Sequence, residues 1–519
     1  MAQRVAALMW RQLLQRSARE SASLQAQIRE MLVGAILDGQ LPAGEPVPSS
    51  REMAEQLGVA RNTVVLAYQQ LADEGYLLSR QRSGHFVNAA MIAKRPPAPA
   101  RRAVVAGGAR ADLSAAARAA PCAEPSWAAR FVQRPAQQRS IVKPADWQKY
   151  PYPFLYGQFD PALFPTADWR ECCNRALSVL DIRAWAPDLI TRDDESLVQQ
   201  IRTRVLPRRG VWAGADEVVV TVGAQHALYM IADLLMREGT RVGIEEPGYP
   251  DARNIFAART SAIVPLAVDD GGLPVDDRLG GVDYVYATPS HQCPSGVTMP
   301  LARREALLAR AAAHDFVVIE DDFESENRFD GEPFPALKSL DGEGRVIYVG
   351  SLSKSLAPGL RVGYVVGPAP LIEELRALRR LMLRHPSALV QRAFALFLSL
   401  GHHDALLRRL AAVQRERCAL VLDALARHAP GCHVVPVSGG GSCWVSLPEG
   451  LEVGEFAVRA EAQGVLIEPG DVFFHGPLPA RRAFRLGYAS IAAKAIEPGI
   501  RLLGEIIVAM QREAAGPPH

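Results

Sequence analysis

Short runs rich in β-branched residues alternate with helical apolar patterns between residues 217 and 351. The runs read EVVVTV, RVGIEE, VDYVYAT, FVVIEDD and RVIYVGS, and amphipathic stretches such as GAQHALYMIADLLM separate them. Strands buried on both faces read as nearly continuous apolar runs, and parallel strands need a crossover that is usually a helix. The pattern therefore predicts an α/β fold with a mainly parallel central sheet covered by helices on both faces.

Composition divides the 519 residues into parts, since a chain of this length exceeds one ordinary core. Residues 93–126 are rich in Ala, Pro, Arg and Gly and show no apolar period, which is typical of a linker. After about residue 400, SCWVSLPEG and RRAFRLGYASI read as strands of a smaller α+β subdomain. We therefore expect a small domain at residues 1–92, a linker at 93–140 and a large domain at 141–519, with subdomains at about 170–400 and 400–515.

The charge and cysteine content exclude several classes of protein. Net charge is only +2, from 58 Lys and Arg against 56 Asp and Glu, so any nucleic-acid binding must come from a local patch. The seven cysteines form no C-x-x-C pair and no zinc pattern, which predicts reduced thiols and no metal site. Basic residues interrupt the apolar N-terminus, unlike a secretory leader, and no run approaches the roughly 20 apolar residues of a membrane span. These features predict a cytoplasmic protein that binds no membrane.

The small domain carries the pattern of a helix–turn–helix followed by a hairpin. Its first helix has apolar positions at helical spacing, namely Leu24, Ile28, Met31, Leu32, Ala35 and Ile36. After the breaker GQLPAGEPVPSS, Ser49 or Ser50 can cap a helix REMAEQL, and Gly58 makes a tight turn before ARNTVVLAYQQLADEG. The stretch YLLSRQRSGHFV then predicts a two-stranded wing. A winged helix–turn–helix fold of α+β type is therefore expected.

The first turn of the second helix of this motif, Arg61-Asn62-Thr63, is predicted to be exposed because the apolar positions that follow it face inward. Helix–turn–helix proteins present these N-terminal residues to base edges in the major groove. Arg and Asn can each bond two atoms of one base, and Thr can reach a base or a phosphate. From spacing alone, a helical domain with ordinary solvated charges is the alternative.

The stretch PSSREMAEQLGVARNTVVLAYQQLADEGYLLSRQRSGHFV resembles the winged-helix domain of GntR-type regulators. The resemblance implies that the DNA-binding residues are Arg51, Arg61, Asn62 and Thr63, with Ser83 and Gly84 at the wing. Ala60 stands where a Ser or Thr is common, so one phosphate contact of the family would be missing. The implied partner is double-stranded operator DNA.

In the large domain, Lys354 lies within GSLSKSLAPGLRVGYVVG, among small hydroxyl residues and just before an apolar run. A buried and unpaired ammonium is costly, so a lysine here indicates a chemical role. A lysine amine can form a Schiff base with an aldehyde. Ser351, Ser353 and Arg361 are candidates for a phosphate site beside it.

Other residues of the large domain complete the pattern of a cofactor site. The turn Gly223-Ala224-Gln225 joins a strand to a helix, and the N–H groups at such a helix start suit a phosphate. Tyr249 in EEPGYP can stack on a planar ring, and Asp321 at the end of FVVIEDD can hold a protonated ring nitrogen. Each signal is weak alone, since turns and strand-end carboxylates are common. Together with the lysine they indicate pyridoxal 5′-phosphate.

Five motifs of the large domain resemble those of fold-type I aminotransferases: SLSKSLAPGLRVGY, EPGYP, TPSHQCPSG, GVLIEPGDVFF and FRLGYAS. In that family the arginine matching Arg485 clamps the carboxylate of an amino acid, a task suited to the guanidinium fork. A surface ion pair is the alternative for Arg485, and Arg253 is a second candidate for effector binding. A winged helix joined to such a domain resembles the MocR/GabR group of GntR regulators over nearly the whole chain.

Two positions depart from the aminotransferase pattern. Cys293 stands where an asparagine usually bonds the phenolic oxygen of the cofactor, and Phe323 stands where regulators of this group commonly carry a tyrosine. Neither side chain is a strong donor, so catalytic tuning should be weakened. Tyr286 or His291 can take over this contact. The departures favour a sensing role over efficient transamination.

The resemblance implies a transcription regulator that senses an amine-bearing metabolite and binds paired DNA half-sites as a head-to-tail homodimer. The effector amine would displace Lys354 from the cofactor to give an external aldimine, while Arg485 would hold an acid group. Two alternatives stay open: an active aminotransferase with an accessory DNA-binding domain, and a sensor of pyridoxal phosphate itself. The effector is equally open among an amino acid, an ω-amino acid such as GABA, taurine and a breakdown product of a compatible solute.

Overall fold

The computed structural model of the chain describes residues 9–14, 23–80, 84–92, 127–324, 328, 334–476 and 482–515. The chain divides into two compact units, residues 1–123 and 124–519. Most of the predicted linker, together with Ser83, lies outside the described residues. The predicted domain boundaries therefore stay predictions.

The first unit is a winged helix–turn–helix. Its elements are α1 (Leu24–Leu37), α2 (Ser50–Leu57), α3 (Arg61–Asp73), β1 (Leu77–Arg80), β2 (Gly84–Val87) and α4 (Ala89–Ile92). The strands β1 and β2 pair antiparallel from Leu77 opposite Val87 to Arg80 opposite Gly84, which confirms the predicted wing.

Local sequence explains where α2 begins and ends. Ser49 is the N-cap of α2: its hydroxyl accepts from the amide of Glu52, whose carboxylate accepts from the amide of Ser49. Gly58 ends α2 in the left-handed conformation at φ 73°. The predicted apolar face of α1 is buried except at Leu24, which is 41% exposed because it lies in the first turn at the edge of the core.

The second unit contains fourteen α-helices within its described ranges. They are α5 (Trp127–Arg130), α6 (Thr166–Ala176), α7 (Val179–Trp185), α8 (Glu195–Gln200), α9 (Gly223–Leu235), α10 (Pro250–Ala257), α11 (Leu301–His314), α12 (Leu337–Leu340), α13 (Ser353–Leu356), α14 (Ala369–Leu383), α15 (Ala388–Ser399), α16 (His402–His428), α17 (Val453–Ala462) and α18 (Ala493–Ala515). Across the part of the chain that the structure describes, no helix is both long and apolar enough to cross a membrane.

A seven-stranded sheet forms the centre of the second unit, in the order β4-β10-β9-β8-β7-β5-β6. Its strands are β4 (Val218–Thr221), β5 (Val242–Glu246), β6 (Ile263–Ala267), β7 (Tyr284–Ala287), β8 (Val317–Asp321), β9 (Val346–Ser351) and β10 (Gly363–Val366). Strands β5 to β9 pair in parallel, and β10 runs antiparallel to both β4 and β9. The mainly parallel sheet is therefore confirmed.

Alternate residues of these strands enter different cores, as expected for a sheet covered on both faces. Val219 of β4 and Val365 of β10 pack with α9 and α14. Val220 and Val366, on the other face, pack with α15. This two-sided burial explains why the strands read as continuous apolar runs.

The C-terminal part adds smaller sheets. Before the large sheet lies β3 (Tyr152–Pro153), and after it lie β11 (His433–Val434), β12 (Ser442–Ser446), β13 (Val465–Leu466), β14 (Glu468–Pro469) and β15 (Ala483–Gly487). The order β11-β12-β15-β14 is antiparallel, and β13 pairs in parallel with β3. The long helices α16 and α18 pack on this layer through Val421, Leu425 and Ile500. The predicted mixed α+β subdomain is confirmed.

Candidate functional site

A cavity of about 340 Å³ opens at the carboxyl ends of the parallel strands. The predicted cofactor residues that line it are Ala224, Gln225, Tyr249, Asp321, Ser351, Ser353, Lys354 and Arg361, and Arg485 lines it as well. Parallel strands bring their carboxyl ends to one edge, where α/β proteins usually bind ligands. Residues far apart in the chain therefore meet at one place.

Lys354 lies in α13, directly after β9, and directs its amine into the cavity. The Nζ atom lies 3.4 Å from the hydroxyl of Tyr156 and faces the rings of Tyr156 and Phe323, with centroids 4.7 and 5.5 Å away. Burial lowers the pKa of Lys354, because desolvation disfavours the ammonium form. A larger fraction of the amine is then unprotonated near neutral pH, as a Schiff-base lysine requires.

Asp321, at the end of β8, offers an unpaired acceptor at the bottom of the cavity. Its Oδ2 accepts from the hydroxyl of Tyr286 at 2.9 Å. Its Oδ1 is buried and has no hydrogen-bond partner among the described residues. Burial raises the pKa of Asp321 to about 7. A protonated ring nitrogen would satisfy Oδ1 and restore the charged carboxylate, so this end of the site fits pyridoxal phosphate.

The start of α9 forms a cradle suited to a phosphate. Gly223 has a φ of 78°, and a Cβ built there would lie 2.8 Å from Nη2 of Arg361. Only glycine therefore allows the guanidinium to lie against this turn, where it donates to the carbonyl of Val222 at 3.1 Å. Helix-start N–H groups and a guanidinium together favour an anion. Ser353 contributes differently, because its hydroxyl donates to the carbonyl of Val362 at 3.1 Å and fixes the loop.

At the opposite end, Arg485 of β15 is held from several sides. Its Nε donates to Glu468 at 2.7 Å, and both side chains are only 3% exposed. Its Cζ lies 4.2 Å from the ring centroid of Tyr156 and 4.7 Å from that of Phe473. The two aromatic faces fix the plane of the guanidinium. Arg485 is therefore buried and does not form a surface ion pair, and its role in binding a carboxylate stays a prediction.

Arg253 is placed differently from the other candidates. Its guanidinium donates to the carbonyls of Phe474 at 2.8 Å and Val472 at 3.0 Å. The described residues that line the cavity do not include it. Arg253 therefore holds the loop after β14 in place, and its role in effector binding stays a prediction.

Cys293 and Phe323 both line the cavity, as the departures from the aminotransferase pattern require. The Sγ of Cys293 lies 3.9 Å from Nη1 of Arg485. The hydroxyl of Tyr286 is already donated to Asp321, and Nε2 of His291 lies 3.2 Å from Glu324. Among the described residues, neither Tyr286 nor His291 lines the cavity, which leaves the contact to the phenolic oxygen a prediction.

In the winged helix, the candidate DNA-binding residues lie on accessible surface. Arg51 in α2 and Arg61 and Asn62 in the first turn of α3 are exposed, and Thr63 is half-buried. Gly84 is exposed at the wing. This is the arrangement in which helix–turn–helix proteins meet the major groove, and the assignment of individual contacts stays a prediction.

Comparison with known proteins covers both parts of the chain. Residues 24–87 match the bacterial regulatory proteins of the gntR family, and residues 196–503 match aminotransferase class I and II. The HTH-type transcriptional regulator TauR of Rhodobacter capsulatus is 42% identical over 478 residues, which cover 92% of this chain and 95% of that protein. The probable rhizopine catabolism regulatory protein MocR of Rhizobium meliloti is 33% identical, over 95% and 96% of the two chains. The chain belongs to the MocR group of GntR-family transcriptional regulators.

Solved structures of aminotransferases are similar to the larger unit of the MocR-type chain. LysN, the α-aminoadipate aminotransferase of Thermus thermophilus, was solved with N-(5′-phosphopyridoxyl)-L-leucine; it is 28% identical, with a TM-score of 0.68, over 75% of this chain and 99% of that chain. Kynurenine aminotransferase of Pyrococcus horikoshii gives a TM-score of 0.67 at 26% identity, over 74% and 98%. The MocR-type chain is thus a DNA-binding regulator whose aminotransferase-like domain uses pyridoxal phosphate.

Several residues of the site in this MocR-type regulator are missing from the sequence-based prediction. Lys143, Tyr156 and Glu468 all contact Arg485 or its partners. Glu468 lies inside the motif GVLIEPGDVFF, and Tyr156 ends the aromatic run PYPFLY, so both carried a weak signal. Lys143 carried none, because only tertiary folding brings it opposite Glu468.

We expect Asp321→Asn to weaken cofactor binding by about ten- to a hundredfold. The amide cannot pair as an anion with a protonated ring nitrogen, and hydrogen bonds to charged groups contribute about 1.5–3 kcal/mol. The dissociation constant of pyridoxal phosphate is measured by absorbance titration. Asp315→Asn is the control, since Asp315 is exposed, pairs with Arg345 at 2.8 Å and is not among the described residues that line the cavity. Equal affinity of Asp321→Asn and wild type would remove the assignment of Asp321.

Proposed function

We propose that this regulator senses a small amine that also carries an acid group, and that occupation of the cavity alters its binding to operator DNA. The observation that carries the proposal is that the amine of Lys354 and the buried guanidinium of Arg485 lie in the same cavity. Pyridoxal phosphate supplies an aldehyde carbon that condenses with primary amines. The chain supplies Lys354 for exchange at that carbon and Arg485 for the acid group.

The arrangement of charges supports an effector with both groups. Arg485 already has one carboxylate partner, Glu468, and its aromatic neighbours hold it in a fixed plane. A fixed guanidinium binds a carboxylate with little loss of side-chain entropy. Differential binding of the effector to two conformations of the protein would then shift their populations and change DNA affinity.

We further propose a homodimer, which the family resemblance implies in a head-to-tail arrangement. Exposed apolar side chains support a protein partner: Val179 and Leu180 of α7 are 68% and 78% exposed, and Leu381 of α14 is 84% exposed. Arg384, next to the end of α14, pairs with Asp188 just beyond α7, so these side chains lie on neighbouring elements. Such patches favour protein contacts. A monomer mass in analytical ultracentrifugation at micromolar concentration would remove this part of the proposal.

A regulator must be in the same compartment as the DNA that it binds, and we therefore propose a cytoplasmic location. The contacts to operator DNA are proposed for Arg51, Arg61, Asn62, Thr63 and the wing. The whole chain carries a net charge of only +2, so binding must come from the local basic and polar side chains of the winged helix.

Lys354→Ala is expected to lose the visible band of the lysine-bound cofactor, because alanine has no amine to condense with it. Absorbance spectra of both proteins, recorded with a panel of amines and amino acids, test this. Lys149→Ala is the control, because Lys149 is exposed and pairs with the nearby Asp146. Identical bands in Lys354→Ala and wild type would contradict the assignment.

The same titration separates the two functions that the sequence leaves open. A stable shift of the wild-type band with one amine supports a sensor of that amine. A band that decays and returns on addition of a keto acid indicates an aminotransferase instead. If no amine changes the band, the proposed sensing of amines is wrong.

Arg61→Ala is expected to weaken specific DNA binding at least several-fold and to leave the cofactor spectrum unchanged. A base contact by arginine contributes about 1–3 kcal/mol of discrimination. Gel-shift titration uses DNA selected in vitro by the wild-type protein. The control is Arg29→Ala, since Arg29 of α1 pairs with Glu74 at 3.1 Å. If Arg61→Ala binds the DNA as tightly as the wild type, the assignment of α3 as the recognition helix is wrong.

A further inference from the structure

The segment of residues 135–150 contributes a further basic side chain to the cavity, close to Arg485. Lys143 lines the cavity together with Ile141 of the same segment. We propose that Lys143 is a second binding residue for the acid group of the effector, opposite Arg485, and that Glu468 holds both cations before the effector binds. This inference rests on the proposed sensing of an amine that carries an acid group.

Glu468 bridges the two cations with one carboxylate oxygen for each. Its Oε2 accepts from Nε of Arg485 at 2.7 Å, and its Oε1 lies 3.2 Å from Nζ of Lys143. The side chains of Arg485 and Glu468 are 3% exposed and that of Lys143 is 22% exposed. Lys143, Glu468 and Arg485 therefore form one cluster, buried at Glu468 and Arg485 and half-buried at Lys143, which we call the anion cluster.

The anion cluster contains two cations and one anion. Removing charges from water is costly unless they are paired, so an excess positive charge inside the cavity favours an incoming anion. Burial lowers the pKa of Lys143, and the carboxylate of Glu468 partly offsets this effect. An acid group that lies between Arg485 and Lys143 would supply the missing negative charge, whereas an alkyl group would leave the excess charge unpaired.

The position of Lys143 also relates it to the cofactor lysine. Its Nζ donates to the carbonyl of Tyr156, the residue whose hydroxyl contacts Lys354. A Cβ built on Gly157 would lie 3.6 Å from Nζ of Lys143 and 3.8 Å from Nζ of Lys354. The two amines thus approach the same glycine, so one small effector can reach Lys354 with its amine and the anion cluster with its acid group.

The segment that carries Lys143 is tied to the rim of the cavity at a second place. The guanidinium of Arg139 pairs with Asp471, beyond β14, at 3.3 Å. The carbonyl of Arg139 accepts from the amide side chain of Asn254 in α10 at 2.8 Å. The chain runs from this segment through residues 93–126 to the winged helix. An acid group that contacts Lys143 is therefore in contact with the segment that leads to the DNA-binding unit.

The test compares ligands that differ only in the acid group. Glycine, β-alanine and 4-aminobutyrate are titrated beside ethylamine, propylamine and butylamine, in which a methyl group replaces the carboxylate. The cofactor-loaded full chain is used, and dissociation constants come from the visible spectrum. The variants are Lys143→Met, which keeps the length of the side chain, and Lys143→Arg, which keeps its charge. Lys149→Met on the same segment is the matched control, since its side chain is 79% exposed.

We expect Lys143→Met to weaken the best amino acid about tenfold and to leave its matched alkylamine unchanged, as loss of one charge-assisted hydrogen bond would do. Lys143→Arg and Lys149→Met should retain the wild-type ratio of the two affinities. A ratio unchanged in Lys143→Met would overturn the inference and leave the sensing of amines standing. Failure of every ligand to bind the wild-type protein would overturn both.

Glu468→Gln provides an independent test that does not remove Lys143. Without Glu468 the pKa of Lys143 falls further, so the titration is run at a pH at which Lys143 stays protonated. Loss of the negative charge then raises the excess charge of the anion cluster, and affinity for the amino acid should rise relative to the alkylamine. If Lys143→Met loses the cofactor band, the ratio in Glu468→Gln decides. A ratio equal to or below that of the wild type would then contradict a role of the anion cluster in binding the acid group.

Discussion

The parallel strands of the central sheet all end at one edge, and the site depends on this constraint. Asp321 is the last residue of β8, Ser351 is the last residue of β9, and Tyr249 follows β5. Because parallel strands place their carboxyl ends on one side, these residues face one cavity without any special local sequence. The start of α9 adds Gly223 at the same edge, and the guanidinium of Arg361, which precedes β10, lies against it. The topology of the sheet by itself thus brings the residues of the cofactor site together.

Charge balance decides what the cavity can hold. One oxygen of Asp321 finds no hydrogen-bond partner within the described ranges, and Lys354 has a lowered pKa because burial disfavours its ammonium form. At the other end, Glu468 lies between Lys143 and Arg485. The cofactor would satisfy Asp321 with its protonated ring nitrogen and Lys354 with its aldehyde. An effector bound beside it would satisfy Lys143 and Arg485 with its acid group. Buried polar groups without partners are rare in native proteins, so their presence here indicates a binding site.

The departures from the aminotransferase pattern lie inside this cavity. Cys293 and Phe323 line it, at the positions where the resemblance predicts donors to the phenolic oxygen of the cofactor. Weak donors at that place would leave the charge of the cofactor less tightly controlled. The residues that hold a ligand are present, whereas some that tune its reactivity are changed. This combination is consistent with the proposed sensing of amines.

The sequence by itself determined the central sheet, the turns of the winged helix and the places of Lys354 and Asp321 at strand ends. Continuous apolar runs predicted the sheet because both faces of its strands are buried, and Ser49, Glu52 and Gly58 set the turns of the winged helix through local hydrogen bonds and backbone conformation. Lys354 and Asp321 were predictable because each lies at a strand end within a recognisable motif.

Only the tertiary structure decided which residues surround them. Lys143 meets Glu468 across more than 300 residues of chain, and Arg253 turns to the loop carbonyls instead of the cavity. Local sequence carries no record of such distant pairings, since they arise from the packing of separate elements against one another.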